Sequence, residues 1–194
     1  MDSDQWLVVG LGNPGPGYAG NRHNVGQMAL AVLADRVSAT FKSHKTNAAV
    51  AEGRSFAAGA KLVLAKPNTY MNVSGGPVAA LLRFYKIEPS RLIVLHDELD
   101  IPFDSLRLKV GGGHGGHNGI RDIMAATGTG DFTRVRIGIG RPPGRQPAAD
   151  FVLKDFGSDE RATLPNLLED AADAVQLIAA EGLTAAQLKF HTAK

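Results

Sequence analysis

Short apolar runs alternate along this chain with stretches of helical periodicity, and that alternation leaves few folds open. Residues 6–11, 61–65, 92–95, Leu106–Val110 and 135–139 read as buried or half-buried strands. Between them, Val25, Met28, Ala29, Val32 and Leu33 fall at i, i+3, i+4, i+7 and i+8, one apolar helix face. Val78, Leu81, Leu82 and Tyr85 repeat the pattern, with Pro89 just beyond. The longest face runs through Leu164, Leu167, Leu168, Ala171, Val175, Ile178 and Ala179 and stops at Gly182. A weaker signal places a hairpin within residues 40–54. Strands alternating with helices predict an α/β fold: a mixed, mostly parallel, twisted sheet sandwiched by helices. At 194 residues, one domain spanning 1–194 is expected, with 142–147 as a loop rather than a boundary.

Composition narrows the function classes. With 44% hydrophobic and 21% charged residues the chain lies in the globular range. Its longest continuous apolar stretch, residues 28–34, is far short of the roughly 18 a membrane span needs. The opening Met1-Asp2-Ser3-Asp4-Gln5 is acidic where a secretory signal would be basic. No cysteine is present, which removes disulfides, a thiolate nucleophile and Cys-ligated metal. These features point to a soluble, cytoplasmic protein. The net charge is only +2, but it is unevenly spread. Residues 105–145 hold seven Lys/Arg against two acids, while residues 155–181 hold seven acids against one Arg. The central segment is therefore suited to face something anionic.

Ligands of open α/β sheets bind beyond the carboxyl ends of the strands, so the residues following each run make a site search. The first run leads to Gly12-Asn13-Pro14-Gly15 and then Arg22-His23-Asn24. The second leads to Lys66-Pro67-Asn68-Thr69-Tyr70-Met71-Asn72, the third to His96-Asp97-Glu98-Leu99-Asp100. The fourth opens a stretch, residues 111–119, with six glycines, His114, His117 and Asn118. If the first three strands are parallel, a histidine, an aspartate and several asparagines converge on one sheet edge.

Without a Gly-x-Ser-x-Gly elbow or a cysteine, an acyl-enzyme is disfavoured. A His oriented by an Asp suits a general base acting directly on water, and asparagine amides can hold a carbonyl whose oxygen gains charge. Hydrolysis of an ester or amide without metal or cofactor is the expected class. Each residue alone has a plainer reading: His23 as a cap or surface residue, Asp97 as a turn cap, Asn13-Pro14 as a turn pair. Asn72 with Ser74 could cap a helix, and Tyr18 and Tyr70 could simply pack. Two other chemistries are weaker. Residues 10–15 match G-x-G-x-x-G, but Pro14, Pro16 and Gly17 delay any helix that could receive a pyrophosphate. His114 with His117, or His96 with Asp97 and Asp100, could supply metal ligands, though glycine-rich chain is a loose platform for one.

Taken together, the motifs resemble bacterial peptidyl-tRNA hydrolase. They are Val9-Gly10-Leu11-Gly12-Asn13-Pro14-Gly15 with Tyr18, Arg22-His23-Asn24-Val25-Gly26, and Lys66-Pro67-Asn68-Thr69-Tyr70-Met71-Asn72-Val73-Ser74-Gly75. His96-Asp97-Glu98-Leu99-Asp100, the glycine run with Arg121-Asp122-Ile123, and Arg134-Val135-Arg136-Ile137-Gly138-Ile139-Gly140 complete the set. Tyr70 stands where Phe is also common. The resemblance implies a monomeric, metal- and cofactor-independent hydrolase of the ester joining a peptide to the 3′ end of tRNA, recycling that tRNA for translation. It implies His23 as the base that activates water, Asp97 as its support, and Asn13 beside the scissile carbonyl. Asn72 and Asn118 would bind the peptide backbone and the tRNA end, with Tyr18, Tyr70 and Met71 lining the groove. Lys109 and Arg136 would grip the acceptor-stem phosphates. A non-catalytic RNA-binding module on the same fold is the alternative, and turnover separates the two.

Overall fold

The structure, a computed structural model, describes residues 4–55 and 59–192; the first three residues of the acidic opening lie outside the described residues. The strands are β1 (Gln5–Gly10), β2 (Lys42–His44), β3 (Ala48–Arg54), β4 (Lys61–Pro67), β5 (Leu92–Glu98), β6 (Leu106–Val110) and β7 (Thr133–Gly138). They form one sheet in the order β2-β3-β4-β1-β5-β7-β6. The four central strands, β4, β1, β5 and β7, are mutually parallel, and the flanks β2, β3 and β6 run antiparallel to their neighbours. The helices are α1 (Val25–Arg36), α2 (Gly75–Tyr85), α3 (Asn118–Thr127), α4 (Ala148–Val152), α5 (Ser158–Glu181) and α6 (Leu183–Thr192).

Alternation along the central strands sends side chains into two cores. Val8, Leu62, Leu64, Ile93, Leu95, Val135 and Ile137 pack with Leu30 and Leu33 of α1 and with Leu167, Val175 and Ile178 of α5. Leu7, Val9, Val63, Leu92 and Val94 pack on the opposite face with Val78 and Leu81 of α2 and Ile120 and Ile123 of α3. The expected five strands, the hairpin in residues 40–54 and the three long helical faces are all present. Three further helices, α3, α4 and α6, go beyond the sequence expectation. α3 has a narrow face behind a glycine run, and α4 is only five residues long. α6 covers the outer edge of β6: the Leu108 N–H donates to His191 Nε2 (2.8 Å), and Gln187 Nε2 donates to Leu108 O (2.9 Å). That edge is thereby closed to strand addition.

One close approach sets the site. A Cβ on Gly26 would lie 2.2 Å from Leu95 O, and one on Gly10 would lie 2.7 Å from Gly26 O. The first turn of α1 therefore rests directly on the backbone of β1 and β5, which holds the preceding 3-10 turn against the end of β5. Gly26→Ala should push the two backbones apart, costing about 1–3 kcal/mol of stability as other overpacked sites do. It should also lower kcat by moving His23. Gly76→Ala, at a position with open space, is the control. Urea midpoints and kcat for the two variants check this; equal behaviour would sink the argument.

Candidate active site

The parallel arrangement of β1, β4 and β5 brings their carboxyl-end segments together around a cleft of about 510 Å³. Asn13, Tyr18, His23, Tyr70, Met71, Asn72, Asp97 and Asn118 all line it. Lys109 and Arg136 do not; they stand on the β6–β7 pair.

Asp97, next to last in β5, is 3% exposed. Its Oδ2 meets His23 Nδ1 and its Oδ1 meets His117 Nε2, both at 2.8 Å. Burial alone would raise the pKa of this carboxyl, but the two imidazoles outweigh it and hold Asp97 well below the ordinary carboxylate range. An ionised Asp97 can only accept, so both histidines donate to it. For His23 this puts the proton on Nδ1 and leaves the Nε2 lone pair for the cleft. For His117 the other nitrogen, Nδ1, accepts the N–H groups of Gly119 and Ile120, capping α3. His117 is thus fixed from both ends.

Asn13 is held as firmly. Its backbone N–H donates to Asn24 Oδ1 and its carbonyl accepts from Asn24 Nδ2, each at 2.9 Å, clipping the exit of β1 to the turn that carries His23. Asn13 Oδ1 accepts the Met71 N–H at 2.7 Å. With its oxygen committed, Asn13 offers the cleft an NH2, a donor for a substrate oxygen. Asn118 is similar in kind: its Oδ1 accepts from Arg121 Nη2, at 2.8 Å. Tyr18 and Tyr70 meet edge to face with centroids 6.1 Å apart, forming an aromatic wall, and Ala148, Val152 and Leu153 add apolar lining to the cleft.

The turn carrying His23 is anchored from behind. Arg22 is buried, lies 3.9 Å over the Phe151 ring, pairs with Glu160 at 2.8 Å and donates to Phe151 O. Asn72 and Ser74 do not cap α2: Ser74 Oγ donates back to Met71 O, and Asp122 Oδ2, reaching across from α3, accepts the Gly75 N–H. Residues 14–20 form turns, so no helix begins beneath the Gly-x-Gly-x-x-Gly stretch.

His117 is the site residue that sequence reasoning missed. The sequence offers it only as a metal ligand, and its spacing to Asp97 carries no local signal. His114 stays apart, accepting the Gly116 N–H, and Asp100 is taken by Arg141 at 2.7 Å. Among the described residues the one three-membered donor cluster is His23, Asp97 and His117. Its facing nitrogens lie at hydrogen-bond distance from separate carboxylate oxygens, which is a proton-bonded bridge with each donor already used. His96 lies beneath, its ring 4.8 Å from that of His117; burial pushes it down to about 3, so it is neutral.

In the sequence, Arg107 and Lys109 alternate with the apolar residues of β6, and Arg134 and Arg136 with those of β7, which predicts one shared basic face; the structure narrows it. Arg107 stands opposite Arg136 and Lys109 opposite Arg134 across the β6–β7 pair. Arg134, expected to share the exposed face, is 1% exposed and turned onto backbone carbonyls. Arg107, Lys109 and Arg136 remain half-buried, and none has a salt bridge among the described residues. Burial lowers the pKa of Lys109 and Arg136; the nearby Glu98 carboxylate offsets this in part, and neighbouring guanidinium groups lower both further. Cations crowded in this way favour an anion between them.

A family model described as Peptidyl-tRNA hydrolase matches residues 7–194. The chain belongs to the peptidyl-tRNA hydrolase family. A peptidyl-tRNA hydrolase of Leifsonia xyli subsp. xyli is 72% identical over 188 residues, 97% of each chain. One from Pseudarthrobacter chlorophenolicus is 63% identical, covering 99% of this chain and 98% of that protein. The crystal structure of peptidyl-tRNA hydrolase from Acinetobacter baumannii superposes with a TM-score of 0.91 at 37% identity, covering 99% of this chain and 97% of that one. The enzyme is thus a hydrolase of the peptidyl-tRNA hydrolase family, with the family's α/β fold. No helix among its described residues is long and apolar enough to cross a membrane.

Proposed function

We infer that this peptidyl-tRNA hydrolase cleaves the ester between a peptide and the 3′ oxygen of tRNA with His23 as the base. The observation that carries the reading is the Asp97 carboxylate holding His23 Nδ1–H at 2.8 Å while His23 lines the cleft. In that tautomer Nε2 takes a proton from water as the water oxygen bonds to the ester carbonyl carbon. Asp97 stabilises the imidazolium so formed, and His117 fixes the second carboxylate oxygen. The Asn13 NH2 donates to the carbonyl oxygen as its charge grows. Collapse breaks the bond to the 3′ oxygen, which leaves with the proton returned by His23. Asn72 and Asn118 hold the peptide backbone and the tRNA end, and Tyr18, Tyr70 and Met71 form the groove. The 194 residues act as one domain, a monomer in the cytoplasm, with no metal or cofactor. Incubation with N-acetyl-aminoacyl-tRNA and with free aminoacyl-tRNA tests this: the acyl group should be released from the first far faster. Binding without release would leave only an RNA-binding module.

Lys109 and Arg136 are assigned to the phosphates of the acceptor stem. Removing one cation that pairs with a phosphate should flatten the dependence of log affinity on log salt by roughly 0.7–0.9. Lys109→Ala and Arg136→Ala should therefore raise KM for tRNA substrates at moderate salt, to a similar degree for all tRNA sequences. An N-acetyl-aminoacyl trinucleotide without the stem should be cleaved as well as by the parent enzyme. A parental salt slope in both variants would sink the grip.

A further inference from the structure

The topology poses a problem that Arg134 is placed to solve. β6 runs antiparallel, so Val110 ends opposite Thr133, which in turn faces Ile93 of β5. Asp97 lies four residues further along β5, about 13 Å away at a strand's rise per residue. Residues 111–116 must carry the chain back over that distance to deliver His117 to Asp97. Gly111, Gly112, Gly115 and Gly116 all have positive φ, between 59° and 83°, a path that other residues resist. Chain of that composition is loose unless something outside it holds it, because glycine has the most conformational freedom to lose.

Arg134 does the holding. Its Nη1 donates to Gly113 O at 2.5 Å, and its Nη2 donates to Gly112 O at 3.0 Å and Gly130 O at 2.9 Å. The guanidinium also lies 4.8 Å from the Phe132 ring centroid and touches the sulfur of Met124 in α3. The same group thus touches the start of the glycine run, the connection that leads into β7 and the helix that His117 caps. We propose that Arg134 is a positioning residue: by fixing the carbonyls of Gly112 and Gly113 it sets where His117 and Asn118 stand in the cleft. This rests on the assignment of His117 and Asn118 to the site. It removes Arg134 from the phosphate-binding face that its place in the strand pattern suggested. A guanidinium that serves three carbonyls at different points cannot be matched by an ammonium, which places its donors on one atom.

The test compares Arg134→Gln and Arg134→Lys on N-acetyl-aminoacyl-tRNA and on the stemless N-acetyl-aminoacyl trinucleotide. Arg134→Gln should lower kcat by roughly ten- to a hundredfold on both substrates, the scale of a small misplacement of reacting groups. KM for the tRNA substrate and its salt slope should stay at the parental values, and Arg134→Lys should recover part of kcat. The imidazole resonances of His117 should shift in Arg134→Gln. Parental kcat on the trinucleotide together with a flattened salt slope would overturn the proposal and make Arg134 a phosphate contact. If Arg134→Gln does not fold, Arg134→Lys decides by the same comparison: parental kcat on the trinucleotide overturns the proposal, and a reduced kcat supports it. His117→Ala and Asn118→Ala separate the two layers. If they keep parental rates while the His117 resonances move in Arg134→Gln, the anchoring stands and the site assignment fails. If they lose rate while Arg134→Gln keeps both its rate and its resonances, the anchoring fails.

Discussion

His23→Ala should remove nearly all hydrolysis, by a factor of roughly 10²–10⁴, while folding and tRNA binding stay close to intact. The loss is chemical because, of the three coupled groups, His23 alone keeps a lone pair for water. Asp97 is buried and firmly ionised, but both its oxygens are already engaged by imidazoles. His117 has one nitrogen on Asp97 and the other on backbone amides. The fold is spared because the turn is held by its neighbours: Asn24 clips Asn13, and Arg22 is pinned by Glu160 and Phe151. Binding is spared because Lys109 and Arg136 stand outside the cleft. Single-turnover release of N-acetyl-amino acid, alongside a tRNA binding isotherm, measures both. A variant keeping more than about a tenth of the parental rate would show that another group is the base.

Asp97→Asn should be almost as damaging, with the change in kcat far exceeding that in KM. Asp97 accepts two hydrogen bonds from two donors, one on each oxygen. An asparagine has one acceptor and one donor, so its NH2 must face one of the two imidazole N–H groups. If it faces His23, that ring must move its proton to Nε2 and loses the lone pair the reaction needs. If it faces His117, that ring must reverse the tautomer that its cap on α3 requires. In either case no anion remains to stabilise the imidazolium, and a fall in kcat of roughly 10²–10⁴ is expected. Steady-state kinetics on the same substrate separate kcat from KM. A rise in KM at constant kcat would make Asp97 a substrate-binding group instead.

The parts of this site that lie beyond parallel strands were legible because parallel strands share a carboxyl edge. Once β1, β4 and β5 are parallel, Asn13, His23, Met71, Asn72 and Asp97 have little choice but to meet. The glycine run reaches the same place by a route the sequence does not signal. Nothing in Leu106–Val110 distinguishes a strand that runs with its neighbours from one that runs against them, since both alternate in the same way. Hence the return path of residues 111–116, and the need for Arg134 to hold it, emerge only from the register with β7. The same limit hid His117, whose two partners are 20 residues upstream and in the turn that follows it. Ser74 is a further case, since a serine before a helix looks like a cap until Asp122 is found supplying one from α3.

The contact of Gly26 with Leu95 has a consequence for how this active site withstands mutation over generations. The spacing between His23 and Asp97 is referenced to main-chain atoms on both sides, those of Gly10, Gly26 and Leu95. Main-chain positions are shared by every residue type, so exchanges among the apolar side chains of either core alter stability in steps of about 1 kcal/mol without moving His23 against Asp97. Tolerance to drift is spread through the interior, while the His23–Asp97 spacing itself hangs on two glycines far too small to look important.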